Sequence, residues 1–360
     1  MTKKLWTRRQ FLKLLGMSGL LATLAPALHA RAHYPTLRAT QQGAEDTWVL
    51  QGRAITSLSF YEKPDTKSER INTCTRDQSF KILGETHAPF SAHNDLWYET
   101  DLGYVHSAWA LPMKIYPPQP FLEKIPPWGF WGQISQVYTE GRTQPSTEAG
   151  RKYRFYGGNV FHVVEAFRDE QGTGWYKVVD DYPPKTTSYQ WVLARDMRRI
   201  PKAEFAPIRP FVGNKRIEVS LSDQRLDCYE GDTVVFSTLI ASGAGGDHAT
   251  PTGEHAVLLK QASRHMSNVP YSGMSEEDQP DPNDIFDLPG IPWNTFFDLS
   301  GTAIHGVYWH NDFGVRRSHG CINAPSEAAR FVYFWTHPIG GFEDEFIQSN
   351  YRVGTPIHIA

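Results

Sequence analysis

Three scarcities narrow what this chain can be. Cysteine is scarce: only Cys74, Cys228 and Cys321 occur in 360 residues. Small exported domains stapled by disulfides carry more, and zinc modules carry closely spaced pairs. Neither pattern is present, and an odd count leaves at least one thiol outside any pairing. Surplus positive charge is also lacking, with 36 Lys and Arg against 39 Asp and Glu and a net charge of −3. Phosphate contacts supply most of the affinity for nucleic acid, so a chain without a basic run is a poor binder, and no nucleic acid is expected as a partner. Long apolar runs are missing too. The stretch 14–28 is interrupted by Gly16, Ser18, Gly19, Thr23 and Pro26, and it falls short of the roughly 20 apolar residues that span a bilayer. Before residue 320 no stretch keeps a helical period for more than a few turns.

What is there suits a mainly β protein: 13% aromatic residues, 29 Gly and 25 Pro, the composition of short strands joined by many turns. The N-terminus stands apart. Thr7-Arg8-Arg9-Gln10-Phe11-Leu12-Lys13 precedes the apolar stretch, and Ala30-Arg31-Ala32 follows with small residues at both cleavage-site positions. This order resembles a twin-arginine export signal over residues 1–32 and implies an extracytoplasmic location, in the wall or periplasm. The alternatives are an uncleaved anchor and a basic amphipathic helix. Six of the 36 basic residues and none of the 39 acidic ones lie in this segment, so cleavage would leave a net charge of −9.

Two segments read as weak repeats of one β module, over residues 47–113 and 128–206. Each has a Trp-Tyr strand (Trp97-Tyr98, Trp175-Tyr176) followed by an aromatic-Val strand (Tyr104-Val105, Trp191-Val192). They resemble bacterial SH3-like barrels, which implies wall contact or a spacer role. The Pro-dense stretches 116–127 and 201–210 read as semi-rigid linkers. A third domain is expected over 211–360, opening as a β-meander in which Ile217, Val219 and Leu221 alternate. Leu226 and Cys228 share a face there. Cys74 and Cys228 read as small core hydrophobes.

Chemistry concentrates near the third cysteine. Ala303-Ile304-His305-Gly306 leads through Tyr308-Trp309-His310 to Arg317-Ser318-His319-Gly320-Cys321-Ile322-Asn323. A thiol attacks carbonyls well only as thiolate, a minor form at its ordinary pKa of about 8.5, so it needs a histidine within reach. His319 lies in the turn carrying Cys321, whereas His305 ends an apolar strand and has the firmer base. Gly320, lacking Cβ, lets substrate approach backbone N–H donors. Beyond Asn323, Pro325 opens an amphipathic helix with Ala328, Phe331, Val332 and Trp335 on one face. Its N-terminal dipole would favour a thiolate just upstream.

These residues, with Thr250-Pro251-Thr252-Gly253 and Ile291-Pro292-Trp293, resemble the L,D-transpeptidase catalytic (YkuD-type) signature over about 213–360. The resemblance implies two SH3-like modules followed by a β-sandwich catalytic domain with a short helix after the nucleophile. It implies Cys321 as nucleophile, His305 as base, the Gly306 carbonyl as orienter of the imidazole, and His319 with Gly320 shaping the oxyanion hole. Trp293, Tyr308, Ser318 and Asn323 are the candidate substrate-binding residues, although Trp293, Trp309 and Trp335 also read as core. The implied partners are peptidoglycan stem peptides as donor and acceptor, with carbapenem-type compounds as covalent inhibitors. The implied reaction forms a thioacyl-enzyme that passes to an amine. An L,D-carboxypeptidase using water, or an inactive wall-binding module, is the alternative. The resemblance departs in one place: only 12 residues separate His305 from Ser318. His305, His310 and Cys321 with His248, His255 or His265 lack the spacing of a metal site, so neither metal nor cofactor is expected. Residues 263–299, rich in Asp, Pro, Asn and Ser, read as a long loop over the site.

Overall fold

A computed structural model describes residues 48–180, 188–270 and 279–360. The expected export signal and the acidic residues 276–278 lie outside the described residues. Three β units follow one another. The first contains β1 (Val49–Ala54), β2 (Leu58–Tyr61), β3 (Arg70–Cys74), β4 (Ser79–His87), β5 (Leu96–Thr100), β6 (Gly103–His106) and β7 (Ala110–Ile115). The second contains β8 (Phe130–Ile134), β9 (Tyr138–Arg142), β10 (Arg151–Tyr156), β11 (Val160–Arg168), β12 (Gly174–Asp180), β13 (Ser188–Leu193) and β14 (Met197–Arg199). Their sheet orders are β3-β2-β6-β5-β4-β1-β7 and β10-β9-β13-β12-β11-β8-β14, the same order displaced by seven strands. A one-turn 3-10 helix precedes the last strand of each, Ser107–Trp109 and Ala194–Asp196. The Trp-Tyr pairs fall on β5 and β12, and Val105 and Val192 on β6 and β13. The weak sequence repeat is thus a repeat of topology.

The third unit has two five-stranded sheets. One runs β17-β16-β15-β24-β18, from β15 (Lys215–Ser220), β16 (Arg225–Glu230), β17 (Thr233–Leu239), β18 (Gly253–Ala256) and β24 (Pro356–Ile359). The other runs β22-β21-β20-β19-β23, from β19 (Leu259–Ser267), β20 (Asp287–Phe296), β21 (Ala303–Gly306), β22 (Ile322–Ala324) and β23 (Ile347–Gln348). The alternation of β15 buries Ile217 and Val219. They share one core with Leu226, Cys228, Ile304, Ile322 and Ile357. Cys74 and Cys228 are both buried, and no cysteine is in a disulfide. Burial raises both of these thiols' pKa values, so both are inert.

The 263–299 stretch is only partly loop: residues 263–267 and 287–296 lie in β19 and β20, which pair antiparallel, with Gln261 opposite Asn294 and Ser263 opposite Pro292. Pro289 and Pro292 hide β20 from a reading of strand signals, since proline usually marks a sheet edge or a bulge. A register shift between Arg264 and Met266 supplies such an irregularity.

Helix α1 (Ser326–Trp335) packs against β20 and β21 and buries Ala328, Ala329, Val332 and Trp335. Its last carbonyls have no partner within the helix, and two buried lysines fill that role. Lys215 Nζ donates to Trp335 O at 2.7 Å. Lys260 Nζ donates to Tyr333 O at 2.7 Å and Thr336 O at 3.0 Å. Burial lowers the Lys260 pKa to about 7.

Candidate active site

The site is set by one strand pairing. β21 and β22 run parallel, with His305 opposite Asn323 and Gly306 opposite Ala324. Partners on adjacent strands point to the same face, and so do residues two apart along a strand. Cys321 is the residue just before β22, and extending the register sets it opposite Ala303, diagonal to His305 rather than directly across from it; strand alternation puts it on the His305 face. Cys321 is half-buried.

His305 is buried, and its Nδ1–H donates to the Gly306 carbonyl at 3.0 Å. That bond leaves Nε2 with its lone pair. Burial drives the ring's pKa down to about 4, against the smaller opposing pull of the Gly306 carbonyl, so the resting imidazole is neutral and can accept a proton. Gly306 has a spatial reason to be glycine. A Cβ there would lie 3.0 Å from Pro292 Cγ and from Ser326 Cα at the start of α1.

The turn before Cys321 is bolted to residues 242–250. Arg317 and Ser318 N–H groups donate to Ser242 O at 2.8 and 3.0 Å, and Ala244 N–H donates to Ser318 O at 2.8 Å. Thr250 Oγ1 donates to Gly320 O and accepts from Gly243 N–H, both at 2.8 Å. Gly320 has φ +117°, a conformation that side-chain-bearing residues resist. Its N–H donates to Ser318 Oγ at 3.2 Å, and the Ser318 hydroxyl donates to the Cys321 carbonyl. Ser318 therefore braces the turn.

The other candidate substrate contacts separate. Trp293 (2% exposed) turns inward at φ +60° and packs on Phe205, Tyr333 and Phe334. Tyr308 is buried, with its hydroxyl donating to Pro289 O at 2.9 Å and its ring stacked on Tyr156. Both are core residues, which corrects their reading as substrate contacts. Asn323 (3% exposed) meets His310 Nε2 at 3.0 Å. Burial and nearby Arg317 push His310 down to about 3, so this second ring is also neutral. The tryptophan beside the His305 ring is the half-exposed Trp309, with centroids 6.0 Å apart. The sequence reading passed over it as core; its place three residues beyond Gly306 was the available signal.

His319 projects outward. Its Nε2 lies 2.7 Å from Asp284 Oδ1, and Asp284 Oδ2 lies 2.9 Å from His248 Nε2. Asp284 ends the one-turn 3-10 helix Pro282–Asp284 just before β20, so this part of the 263–299 segment reaches the turn before Cys321. Nothing in the sequence spacing joins these three residues.

Against known proteins, residues 214–359 match the family model YkuD, the L,D-transpeptidase catalytic domain. That match covers the third unit, from β15 to β24. Among solved structures, the chain is similar to a mutant L,D-transpeptidase of Enterococcus faecium, at 22% identity and TM-score 0.30, covering 42% of this chain and 51% of that one. It is also similar to the E. faecium catalytic domain acylated by ertapenem, at 22% identity and TM-score 0.29, covering 41% and 97%. An L,D-transpeptidase from Mycobacterium smegmatis is similar at 14% identity and TM-score 0.32, covering 52% and 91%. The chain spans about half the length of the first of these. No curated protein matches the sequence.

Proposed function

We propose that this chain is an exported peptidoglycan L,D-transpeptidase with Cys321 as nucleophile. The observation that carries the reading is the β21–β22 register, in which Asn323, two residues beyond Cys321, pairs with a neutral His305 whose Nδ1–H is engaged by Gly306. His305 Nε2 takes the thiol proton as Sγ bonds to the donor's peptide carbonyl carbon. The C–N bond then breaks, and the same proton goes to the departing amine. A thioester remains on Cys321. An acceptor amine attacks it, giving its proton to His305, and the C–S bond breaks to return the thiol. With water as acceptor the same steps give a carboxypeptidase.

The positive φ of Gly320 supports an oxyanion role for this turn, since backbone N–H groups held without a Cβ can face a developing charge. The twin-arginine pattern supports export. The shared topology and the matched 3-10 turns support SH3-like modules, with wall contact as their role.

The test is mass spectrometry of products made by the purified protein from a tetrapeptide-stem donor, alongside intact-mass analysis with a carbapenem. A cross-linked product and a single adduct are expected, both lost in Cys321→Ala. His305→Ala should slow acylation by about 10²–10⁴-fold, the usual cost of losing a general base. His319→Ala should keep part of the rate. An adduct that survives Cys321→Ala sinks the assignment.

A further inference from the structure

Three side chains from separate segments converge beside the turn that carries Cys321: His248 from the loop before β18, Asp284 from the 3-10 helix before β20, and His319. Their ligand atoms all lie within 4.8 Å of one another. We propose that His248, Asp284 and His319 bind a divalent ion of the zinc type, which clips the 3-10 helix before β20 to the turn that carries Cys321.

The donor set decides the ion. Two imidazole nitrogens and one carboxylate oxygen suit zinc and its neighbours, whereas calcium takes six to eight oxygens. Tetrahedral zinc bonds of about 2.0–2.2 Å put ligand atoms about 3.4 Å apart. The Asp284 oxygens now stand 2.7 and 2.9 Å from the two rings. Small side-chain rotations open that spacing, and the half-exposed position of His248 and Asp284 leaves water room to complete the shell. Each neutral ring carries its proton on Nδ1 when Nε2 binds the ion.

The frame is already rigid. Ala244 N–H to Ser318 O and Thr250 Oγ1 to Gly320 O hold the His248 loop against the His319 turn. Asn268 grips the third segment: its Nδ2 donates to Asp284 O, and its Oδ1 accepts from Phe286 N–H, each at 2.7 Å. Phe286 in turn packs on the His319 ring, with centroids 4.9 Å apart. Such outer support is what makes a metal site more than a chance cluster. The thiol takes no part, and the proposal does not rest on the transpeptidase reading.

The experiment titrates zinc alone into the full chain by calorimetry, with native mass spectrometry for stoichiometry. One ion per chain is expected, in the wild type and equally in Cys321→Ala. Affinity should fall at least tenfold in His248→Ala and in Asp284→Asn, each checked for an unchanged thermal melt without zinc. Zinc should also raise the melting temperature of the wild type and not that of Asp284→Asn. No binding at micromolar zinc overturns the proposal. So does binding that is lost in Cys321→Ala but kept in His248→Ala, which would put the ion on the thiol. If a variant melts lower without zinc, the conservative His248→Gln takes its place, and full binding there counts against the site.

Discussion

The two N-terminal modules share one topology but join the catalytic unit by different chemistry. The second is fused to it. Trp131 and Val160 belong to the same core as Ile217, Ile304 and Ile322, and Trp131 Nε1 donates to Phe342 O at 2.8 Å. Behind that core, buried His265 on β19 lies between Asp180 of β12 and Asp287, at 2.9 and 2.7 Å. The first module adds Leu111 and Met113 to a small cluster with Ile291 and Tyr308. Its hold on Asn311 and Asp312, in the segment between His305 and Ser318, is polar. Asn311 Nδ2 reaches Tyr98 Oη, Ala110 O and Ser107 O at 2.9, 3.1 and 3.2 Å, and His93 meets Asp312 at 3.0 Å. One duplicated fold thus serves as structural wall in one copy and as brace for the segment between His305 and Ser318 in the other.

The largest effect that separates the copies is expected at Trp131. Trp131→Ala should destabilise the catalytic unit by about 3–5 kcal/mol, the usual cost of emptying a buried aromatic site, read from the denaturation midpoint. A midpoint shift below about 1 kcal/mol would mean that the second module is docked rather than fused.

Next in size is pH. Burial alone would lower the His265 pKa, but the hydrogen bonds and charges of Asp180 and Asp287 outweigh it and raise it to about 9. Burial raises the Asp180 carboxyl despite His265; Asp287, held low by hydrogen bonds from His265 and Tyr153 against its own burial, keeps the imidazole charged. The folded protein thus holds a proton that the unfolded chain releases above about 6.5. This stability is complete below pH 6.5 and lost as pH rises through about 9, to the order of 3 kcal/mol. His305 and His310 act with the opposite sign. They stay neutral when folded, so stability falls as pH drops from 6.5 toward 4. Lys260, held at about 7 by burial, acts against His265 on the alkaline side, because its stability contribution grows as pH rises from 7 toward 10.5. Denaturation at pH 5, 7 and 10 should therefore isolate His265 by difference: between pH 7 and 10 the wild type should lose about 3 kcal/mol relative to His265→Gln, and equal pH dependence in the two would overturn the His265 assignment.

A smaller effect, about 1–3 kcal/mol, is expected of Asn311→Ala, which leaves buried acceptors of the first module unpaired. It should also slow alkylation of Cys321 several-fold, while Trp131 variants that still fold leave that rate unchanged. Equal rates in wild type and Asn311→Ala would reduce the first module to a passive neighbour. Smallest is His93→Ala, at most about 1 kcal/mol, because the pair is partly solvated.

Much of this was legible from residues alone. Alternation exposed β12 and β15, the Trp-Tyr pairs exposed the repeat, and the segment 303–323 exposed Cys321 and the strand that ends in His305; only the family resemblance pointed to the Gly306 carbonyl, which accepts from His305 Nδ1–H. The β19–β20 pairing was hidden because Pro289 and Pro292 mimic loop sequence inside β20. Trp293 was misjudged because a positive φ turns its ring into the core, and no periodic pattern records that. Asp284 could not be joined to His248 and His319, since only tertiary packing brings together residues 36 and 35 positions apart. The braces on Asn311 were equally silent, being carried largely by main-chain carbonyls.

The lysines at the end of α1 bear on the order in which the domain assembles. A helix of ten residues has little stability alone. Its final carbonyls wait for Lys215 and Lys260, which lie 120 and 73–76 positions earlier in the chain. These are late contacts for a folding chain, because long loops must close first. β22 leads directly into α1, so the strand that sets Asn323 opposite His305 is secured only when both sheets are in place. In a partly folded chain Cys321 and His305 lie on unjoined strands, and they share one setting only in the finished domain.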